Sequence, residues 1–320
     1  VLRDGQQSLI ATRMRLSDIT PILSKLDNVG FSSLEMWGGA TYDCCLRFLN
    51  EDPWERLKVI KSNIKNTQLQ MLLRGKNLVG YKKYDETVID LFINKSSENG
   101  IDIFRIFDAL NDINNIVYSI ECANKYNANS QGTISYTTSP VHNEKYWLKL
   151  AKDIEDAGAK SLGIKDMAGL LKPKTAYNLI KKLKRNLSIP IHLHTHATTG
   201  LSDATNYKAY EAGVDNIDTS ISSFSNLYAH TATESLITMI YDENDNPFNM
   251  NELAEISDYF QNIRNKYSQY EGSMKGVDIK MLINQVPGGM LSILEKQLLD
   301  LNKLDKLDDL ITEIPRIRKD

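Results

Sequence analysis

The sequence predicts an α/β protein, a (β/α)₈ barrel of the TIM type followed by a helical C-terminal extension. Short apolar segments rich in β-branched residues alternate with amphipathic helical patterns along the chain. Eight such segments follow one another at a spacing of about 30 residues, which is the period of this barrel. A doubly wound open sheet has the same alternation, but it seldom has eight units and usually begins with a glycine-rich turn that this sequence lacks.

The strands are predicted from the apolar runs and the helices from the periodic segments between them. The first strand is expected to end at Asp4, and the others span residues 32–37, 69–74, 102–108, 131–137, 161–166, 190–196 and 216–222. Helices are predicted over residues 17–27, 85–97, 113–125, 144–157, 173–184 and 202–212. Glycines that can adopt a left-handed cap follow several of these helices, for example Gly100 and Gly158.

Two regions are predicted: a barrel over residues 1–245, and a helical extension over residues 246–320 that completes the active site. The extension contains helical patterns at 251–266 and 287–302. Because the chain begins with Val1 and has no terminal stop pattern, we interpret it as a piece of a longer polypeptide.

Composition excludes some classes of protein. The chain has 38 basic and 41 acidic residues and a net charge of −3, so it lacks the basic excess of nucleic-acid-binding proteins. No apolar run approaches the roughly 18 residues of a transmembrane helix. The three cysteines form no disulfide pattern, which favours a cytoplasmic location.

Histidines cluster at the end of the seventh predicted strand. His192, His194 and His196 alternate, so their side chains share one face of that strand. Two imidazoles and a carboxylate are a common ligand set for Zn²⁺ or another first-row divalent ion. Asp4 can supply the carboxylate, because the strand ends of a barrel meet at one rim. We expect His194 and His196 to bind the metal and His192 to lie deeper. The alternative is a group of hydrogen-bonded core histidines.

Two other strand ends carry basic residues. Lys165 would be costly to bury without a partner, and three roles stay open for it: a neutral base with a lowered pKa, a salt-bridge partner of Asp166, or a carbamylated metal ligand. Arg74 ends the third predicted strand and has the planar guanidinium that captures carboxylates with two hydrogen bonds.

Several longer motifs resemble the carboxyltransferase domain of biotin-dependent enzymes, the family of pyruvate carboxylase, transcarboxylase and the oxaloacetate decarboxylase alpha subunit. They are DGQQS (4–8), EMWGGAT (35–41), EDPWER (51–56), MLLRG (71–75), FRIFD (104–108), IKDMAG (164–169), HLHTH (192–196) and PGGML (287–291). Motifs of this family run in order over nearly the whole chain, which makes the resemblance specific.

The resemblance implies roles for individual residues. Asp4, His194, His196 and a carbamylated Lys165 would bind a divalent metal, Zn²⁺, Mn²⁺ or Co²⁺. Residues of the keto-acid site would be Gln7, Arg74 and Tyr81. Ser292 stands where the family usually has a threonine whose hydroxyl relays a proton between biotin and the enolate. The family's biotin-attachment segment is absent from the sequence, so biotin would arrive as a co-substrate on a separate carrier domain.

The branch of the family is predicted from short differences. Ala197-Thr198-Thr199-Gly200 is more like the oxaloacetate decarboxylase alpha subunit, and that function is the first expectation. The alternative is the carboxyltransferase subunit of pyruvate carboxylase. Expected partners are oxaloacetate or pyruvate, a biotinyl carrier domain, a second copy of the chain, and either membrane decarboxylase subunits or a biotin carboxylase. More distant alternatives are a biotin-independent, metal-dependent keto-acid aldolase or lyase, and a catalytically silent scaffold barrel.

Overall fold

The computed structural model describes residues 1–277, 282–283 and 288–317, and for residues 288–293 and 315 it describes the backbone only. Seven parallel strands form one sheet in the order of the chain. They are β1 Ser33–Gly38, β2 Gln68–Leu73, β3 Ile103–Phe107, β4 Asn129–Ser135, β5 Ser161–Asp166, β6 Ile191–Thr195 and β7 Asn216–Ile217. The sequential order of neighbours and the helices between them confirm the predicted α/β barrel class.

Helices follow most of the strands. The first part of the chain contains α1 Asp4–Ile10, α2 Leu16–Ile19, α3 Leu23–Asn28, α4 Gly39–Cys44, α5 Pro53–Asn63, α6 Glu86–Glu98 and α7 Ile113–Lys125. The second part contains α8 Glu144–Asp156, α9 Pro173–Asn186, α10 Ser202–Glu211, α11 Thr233–Ile240, α12 Met250–Lys266, α13 Gly288–Asp300 and α14 Leu307–Ile317. In the described part of the chain, no helix combines the length and the apolar character needed to cross a bilayer.

Local sequence explains where the helices begin and which face they bury. The side chains of Asp85, Asp112 and Asn143 accept hydrogen bonds from backbone N–H groups in the first turns of α6, α7 and α8. In α8 the buried residues recur at helical spacing, with Trp147 and Ile154 among them, so one stripe packs on the sheet and the rest faces solvent. The helix predicted over 17–27 is divided because Pro21 lies within it, in a 3₁₀ turn between α2 and α3.

The strand predicted to end at Asp4 is wrong. The backbone N–H of Gln7 donates to the carbonyl of Arg3 at 3.0 Å, and the hydroxyl of Ser8 donates to Oδ1 of Asp4 at 2.9 Å. These bonds between residues four apart begin α1 at Asp4. Val1 and Leu2, with residues of β1 and β7, line a cavity of about 130 Å³.

The C-terminal helices pack against the first part of the chain. α12 buries Leu253, Ile256 and Phe260 and contacts α3 and the 3₁₀ turn Ser222–Phe224. α13 contacts α1, the helix that begins with Asp4. The predicted helices at 251–266 and 287–302 therefore correspond to α12 and α13. The boundary between two regions at residue 245 stays a prediction.

Candidate metal centre and substrate site

The register of β5 and β6 brings the first two candidate residues together. Lys165 is paired with His194 across these strands, close to their carboxyl ends. Since side chains alternate along a strand, Asp166 points away from Lys165. Asp166 instead accepts hydrogen bonds from the backbone N–H groups of Leu170 and Leu171 at 2.9 and 2.8 Å. The salt bridge between Lys165 and Asp166, one of the three open roles, is therefore wrong.

Four buried side chains meet in what we call the His–Asp cluster: Asp4, His194, His196 and His230. Each offers one ligand atom, and these atoms all lie within 4.8 Å of one another. The Oδ2 atom of Asp4 is 3.1, 3.5 and 3.3 Å from the Nε2 atoms of His194, His196 and His230, respectively. The structure therefore brings the predicted Asp4, His194 and His196 together and adds a third imidazole.

The outer ring nitrogen of each imidazole is held by an acceptor. Nδ1 of His194 lies 2.8 Å from Oδ2 of Asp218. Nδ1 of His196 lies 2.6 Å from the carbonyl of Tyr228, and Nδ1 of His230 lies 2.9 Å from the carbonyl of Thr195. A carboxylate and a carbonyl can only accept, so Nδ1 carries the proton in all three rings. In a neutral ring the Nε2 atom then presents a lone pair to the cluster.

This donor set fits a divalent cation. Burial lowers the pKa of His194 to about 3 and also lowers the pKa of His196, so both rings are neutral near pH 7. Burial works against the charge of Asp4, yet the guanidinium of Arg3 keeps the pKa of this carboxyl well below its usual value. Nε2 of His230 is buried and has no hydrogen-bond partner among the described residues, and Oδ2 of Asp4, which is paired with NH2 of Arg3 at 2.9 Å, faces the same space. In such a buried site the lone pairs of the histidine Nε2 atoms face the carboxylate oxygen of Asp4, and a bound cation would stabilise this arrangement.

Lys165 lies at the edge of the His–Asp cluster. Its Nζ atom is 2.7 Å from Nε2 of His194 and 3.7 Å from Oδ2 of Asp4. Burial lowers the pKa of Lys165 to about 8. A substantial fraction of the side chain is therefore a neutral amine near physiological pH, in reach of the same space as the ligand atoms.

Alternating charges surround the cluster. Glu35 on β1 accepts hydrogen bonds from Nε of Arg3 at 2.6 Å and from NH1 of Arg105 at 3.1 Å. Arg105 on β3 is also paired with Asp218. Burial opposes the ionisation of Glu35, but the charges of Arg3 and Arg105 outweigh it and lower its pKa to about 2. These pairs offset the buried guanidinium groups of Arg3 and Arg105 with the partly buried carboxylates of Glu35 and Asp218, and they fix Asp218 beside His194.

His230 is the site residue that sequence reasoning missed. It follows β7 in an irregular loop, where no periodic pattern shows which way a side chain points. An isolated antiparallel bridge between His196 and His230 brings this loop back to the strand end. A histidine after the last barrel strand was the available sequence signal, because catalytic residues collect on such loops.

The expected keto-acid residues lie on the loop that follows β2 and on helix α1. Arg74 follows the end of β2 and donates through NH1 to the carbonyls of Val79 and Gly80 at 3.2 and 3.1 Å. Its guanidinium carbon is 4.8 Å from the ring centroid of Tyr81, a side chain that is 82 % exposed. Gln7 on α1 accepts from NH1 of Arg3 at 3.2 Å.

Ser292 lies in α13. Its side chain is outside the described part of the structure. Its predicted place at the active site is therefore still a prediction.

Comparisons with known proteins show the family to which this chain belongs. A family model described as HMGL-like matches residues 1–260. A pyruvate carboxylase subunit of Methanocaldococcus jannaschii is 51 % identical over 320 residues, which cover 99 % of this chain and 56 % of that protein. The methylmalonyl-CoA carboxyltransferase 5S subunit of Propionibacterium freudenreichii subsp. shermanii is 47 % identical, with coverage of 100 % and 64 %. The chain thus spans less than two thirds of the length of these relatives.

A solved structure of a relative also matches the fold of this chain. The carboxyl transferase domain of Rhizobium etli pyruvate carboxylase, determined with pyruvate, superimposes with a TM-score of 0.94 at 38 % identity. The match covers 98 % of this chain and 55 % of that one. The expected resemblance to carboxyltransferase domains is confirmed.

Proposed function

We propose that this chain, which belongs to the HMGL-like family, is the carboxyltransferase part of a biotin-dependent enzyme that moves a carboxyl group between carboxybiotin and pyruvate. The observation that carries the proposal is the His–Asp cluster, in which three Nε2 atoms and one carboxylate oxygen converge at the strand ends of the barrel. Relatives named as a pyruvate carboxylase subunit and a carboxyltransferase 5S subunit support the biotin-dependent reaction.

The metal would be held by Asp4, His194 and His196, with Lys165 and His230 as the other donors within reach. We propose that the neutral amine of Lys165 adds to CO₂ and releases a proton, so that a carbamate oxygen would be the donor that this residue offers to the metal. Zn²⁺, Mn²⁺ and Co²⁺ all accept such nitrogen and oxygen ligands. When bound, the ion would act as a Lewis acid on the keto oxygen of the substrate.

The residues around the metal site have complementary tasks. Arg74 would hold the substrate carboxylate, with Tyr81 stacked on its guanidinium and Gln7 approaching from α1. Ser292 would carry the proton between biotin and the enolate of pyruvate. Biotin would come on a carrier domain belonging to another part of the enzyme.

The relatives favour one branch over the other. They include a pyruvate carboxylase subunit and a methylmalonyl-CoA carboxyltransferase subunit. The carboxyltransferase subunit of pyruvate carboxylase, the alternative in the sequence analysis, therefore fits better than the oxaloacetate decarboxylase alpha subunit that short motifs first favoured. We therefore propose a biotin carboxylase rather than membrane decarboxylase subunits as the partner, and a homodimer in the cytoplasm as the working form.

The proposal is tested by oxaloacetate decarboxylation, the reverse half-reaction, followed through pyruvate formation with and without a separately expressed biotinyl domain. We expect turnover to require biotin and to fall sharply in Lys165→Ala. Ser292→Ala should lose carboxyl transfer while its KM for oxaloacetate stays close to that of the wild type. Turnover at the same rate without biotin would instead support a metal-dependent aldolase or lyase.

A further inference from the structure

Glu295 is a carboxylate on α13 that the proposed reaction does not use. It is 8 % exposed, and it accepts hydrogen bonds from the backbone N–H and the hydroxyl of Ser273 at 2.9 and 2.6 Å. It also accepts one from the hydroxyl of Tyr228 at 3.2 Å. A buried carboxylate with three donors is held firmly in one place, because each donor left unpaired would cost free energy.

Tyr228 connects this anchor to the metal site. Its hydroxyl reaches Glu295, and its backbone carbonyl accepts the Nδ1 proton of His196 at 2.6 Å. The residue is 2 % exposed, and the two residues before it, Asn226 and Leu227, have positive φ angles of 59° and 52°. This tight left-handed turn leaves little freedom for Tyr228, so its two polar ends keep a fixed separation.

The anchor lies on the helix that carries the predicted proton relay. Ser292 precedes Glu295 by three residues, which is about one turn of α13. The backbone of α13 also packs against α1, which begins with Asp4. The helix is therefore held at two places, at Tyr228, whose carbonyl accepts from His196, and at α1.

Resting on the proposed function, we infer that Glu295 is a positioning residue that fixes α13 to Tyr228 and thereby sets the place of Ser292 relative to the metal site. A proton relay depends on placement within an ångström, and a misplacement of about 1 Å can reduce the rate by roughly 100-fold. Glu295 acts at a distance from the reacting atoms, because its contacts are with Tyr228 and Ser273 rather than with the cluster.

The test uses Glu295→Ala and Tyr228→Phe, which each remove one side of the same hydrogen bond. We expect each variant to lower kcat for biotin-dependent decarboxylation about tenfold or more, with metal content and the KM for oxaloacetate unchanged. The two changes should be non-additive when combined. Glu295→Gln keeps an oxygen acceptor for Tyr228 and should recover most of the rate. Asp300→Asn, at an exposed position on α13, is the matched control and should behave as the wild type.

The Ser292→Ala variant, which already lacks the relay hydroxyl, distinguishes an effect on the position of Ser292 from a general loss of structure. In Ser292→Ala, adding Glu295→Ala should cause no further loss of kcat. A further loss of the same size as in the wild-type background, or parallel losses of metal and substrate binding, would overturn the inference.

Hydrogen–deuterium exchange separates this inference from the proposed function. Amides of residues 288–300 should exchange faster in Glu295→Ala than in the wild type, while those of β5 and β6 stay protected. If the wild type shows no biotin-dependent turnover, the proposed function fails, and faster exchange in α13 still supports the anchor. Unchanged exchange in α13 overturns the anchor whatever the turnover.

Discussion

The carboxylate of Asp218 lies 2.8 Å from Nδ1 of His194 and is itself paired with the buried guanidinium of Arg105. Because Asp218 accepts the Nδ1 proton, the opposite nitrogen of His194 faces Asp4 as a lone pair. The residue thus sets the orientation and the basicity of a proposed ligand. Such an outer partner is expected to matter nearly as much as the ligand it holds.

Asp218→Asn should weaken metal binding by about 10- to 100-fold, because the amide is a poorer acceptor and can turn its NH₂ group toward His194. The measurement is competition for Zn²⁺ or Co²⁺ with a chelator of known affinity. Asp215→Asn is the matched control, since Asp215 pairs with Lys184 in a more exposed position outside the cluster. Equal affinities for Asp218→Asn and wild type would show that the Asp218 contact does not support the metal.

His230→Ala should also weaken metal binding, because it removes a buried Nε2 atom that lies 3.3 Å from Oδ2 of Asp4. His192→Ala is the comparison, since Nε2 of His192 already accepts a hydrogen bond from Asn216 at 3.2 Å. The absorption spectrum of the Co²⁺ form should change in the first variant and stay as in the wild type in the second. A spectrum that is unaltered by His230→Ala would exclude it as a ligand.

Gly39→Ala should raise the KM for the keto acid about tenfold or more without changing metal content. A Cβ atom at Gly39 would lie 2.8 Å from the guanidinium carbon of Arg74, so the arginine must move away from its place. Gly276→Ala is the control, because a Cβ atom there meets nothing within 4 Å. Steady-state kinetics with varied oxaloacetate give the result, and an unaltered KM in Gly39→Ala would remove Arg74 from the substrate site.

Glu35 should support the fold in a pH-dependent way. Its pKa is lowered from 4.5 to about 2 in the folded protein. It therefore contributes stability above pH 4.5, up to about 3 kcal/mol, and that contribution is lost as the pH falls through about 2. Urea unfolding of the wild type and of Glu35→Gln should give free energies of unfolding that converge over this range. A difference that stays constant across it would mean that the Glu35 charge is not what stabilises the pairs.

Much of the fold follows from local sequence. The strand over 161–166 and the helix over 113–125 have the predicted bounds, because apolar runs and capping residues act within a few residues of one another. The strand expected at Asp4 is wrong, because a short apolar start can belong to a strand or to the residues before a helix. The hydrogen bond from the N–H of Gln7 to the carbonyl of Arg3 makes this segment helical, and a segment this short shows no helical periodicity in its sequence.

The site was predictable where strand alternation applies and not beyond it. His194 and His196 share a face of one strand, and their meeting follows from that spacing. His230 and the ring from Arg3 through Glu35 and Arg105 depend on contacts between residues far apart in the chain. Such contacts are decided by the packing of the whole barrel, which a pattern in one segment does not contain.

The most direct test of the central claim is the rate of oxaloacetate decarboxylation with and without the biotinyl domain, measured in parallel for wild type and His194→Ala, together with elemental analysis of both. The account predicts a wild type that holds a divalent metal and turns over only with biotin, and a variant that loses the metal and at least about 100-fold of that rate. A wild type whose rate is the same with and without biotin, or a His194→Ala variant that keeps the full biotin-dependent rate, would contradict it.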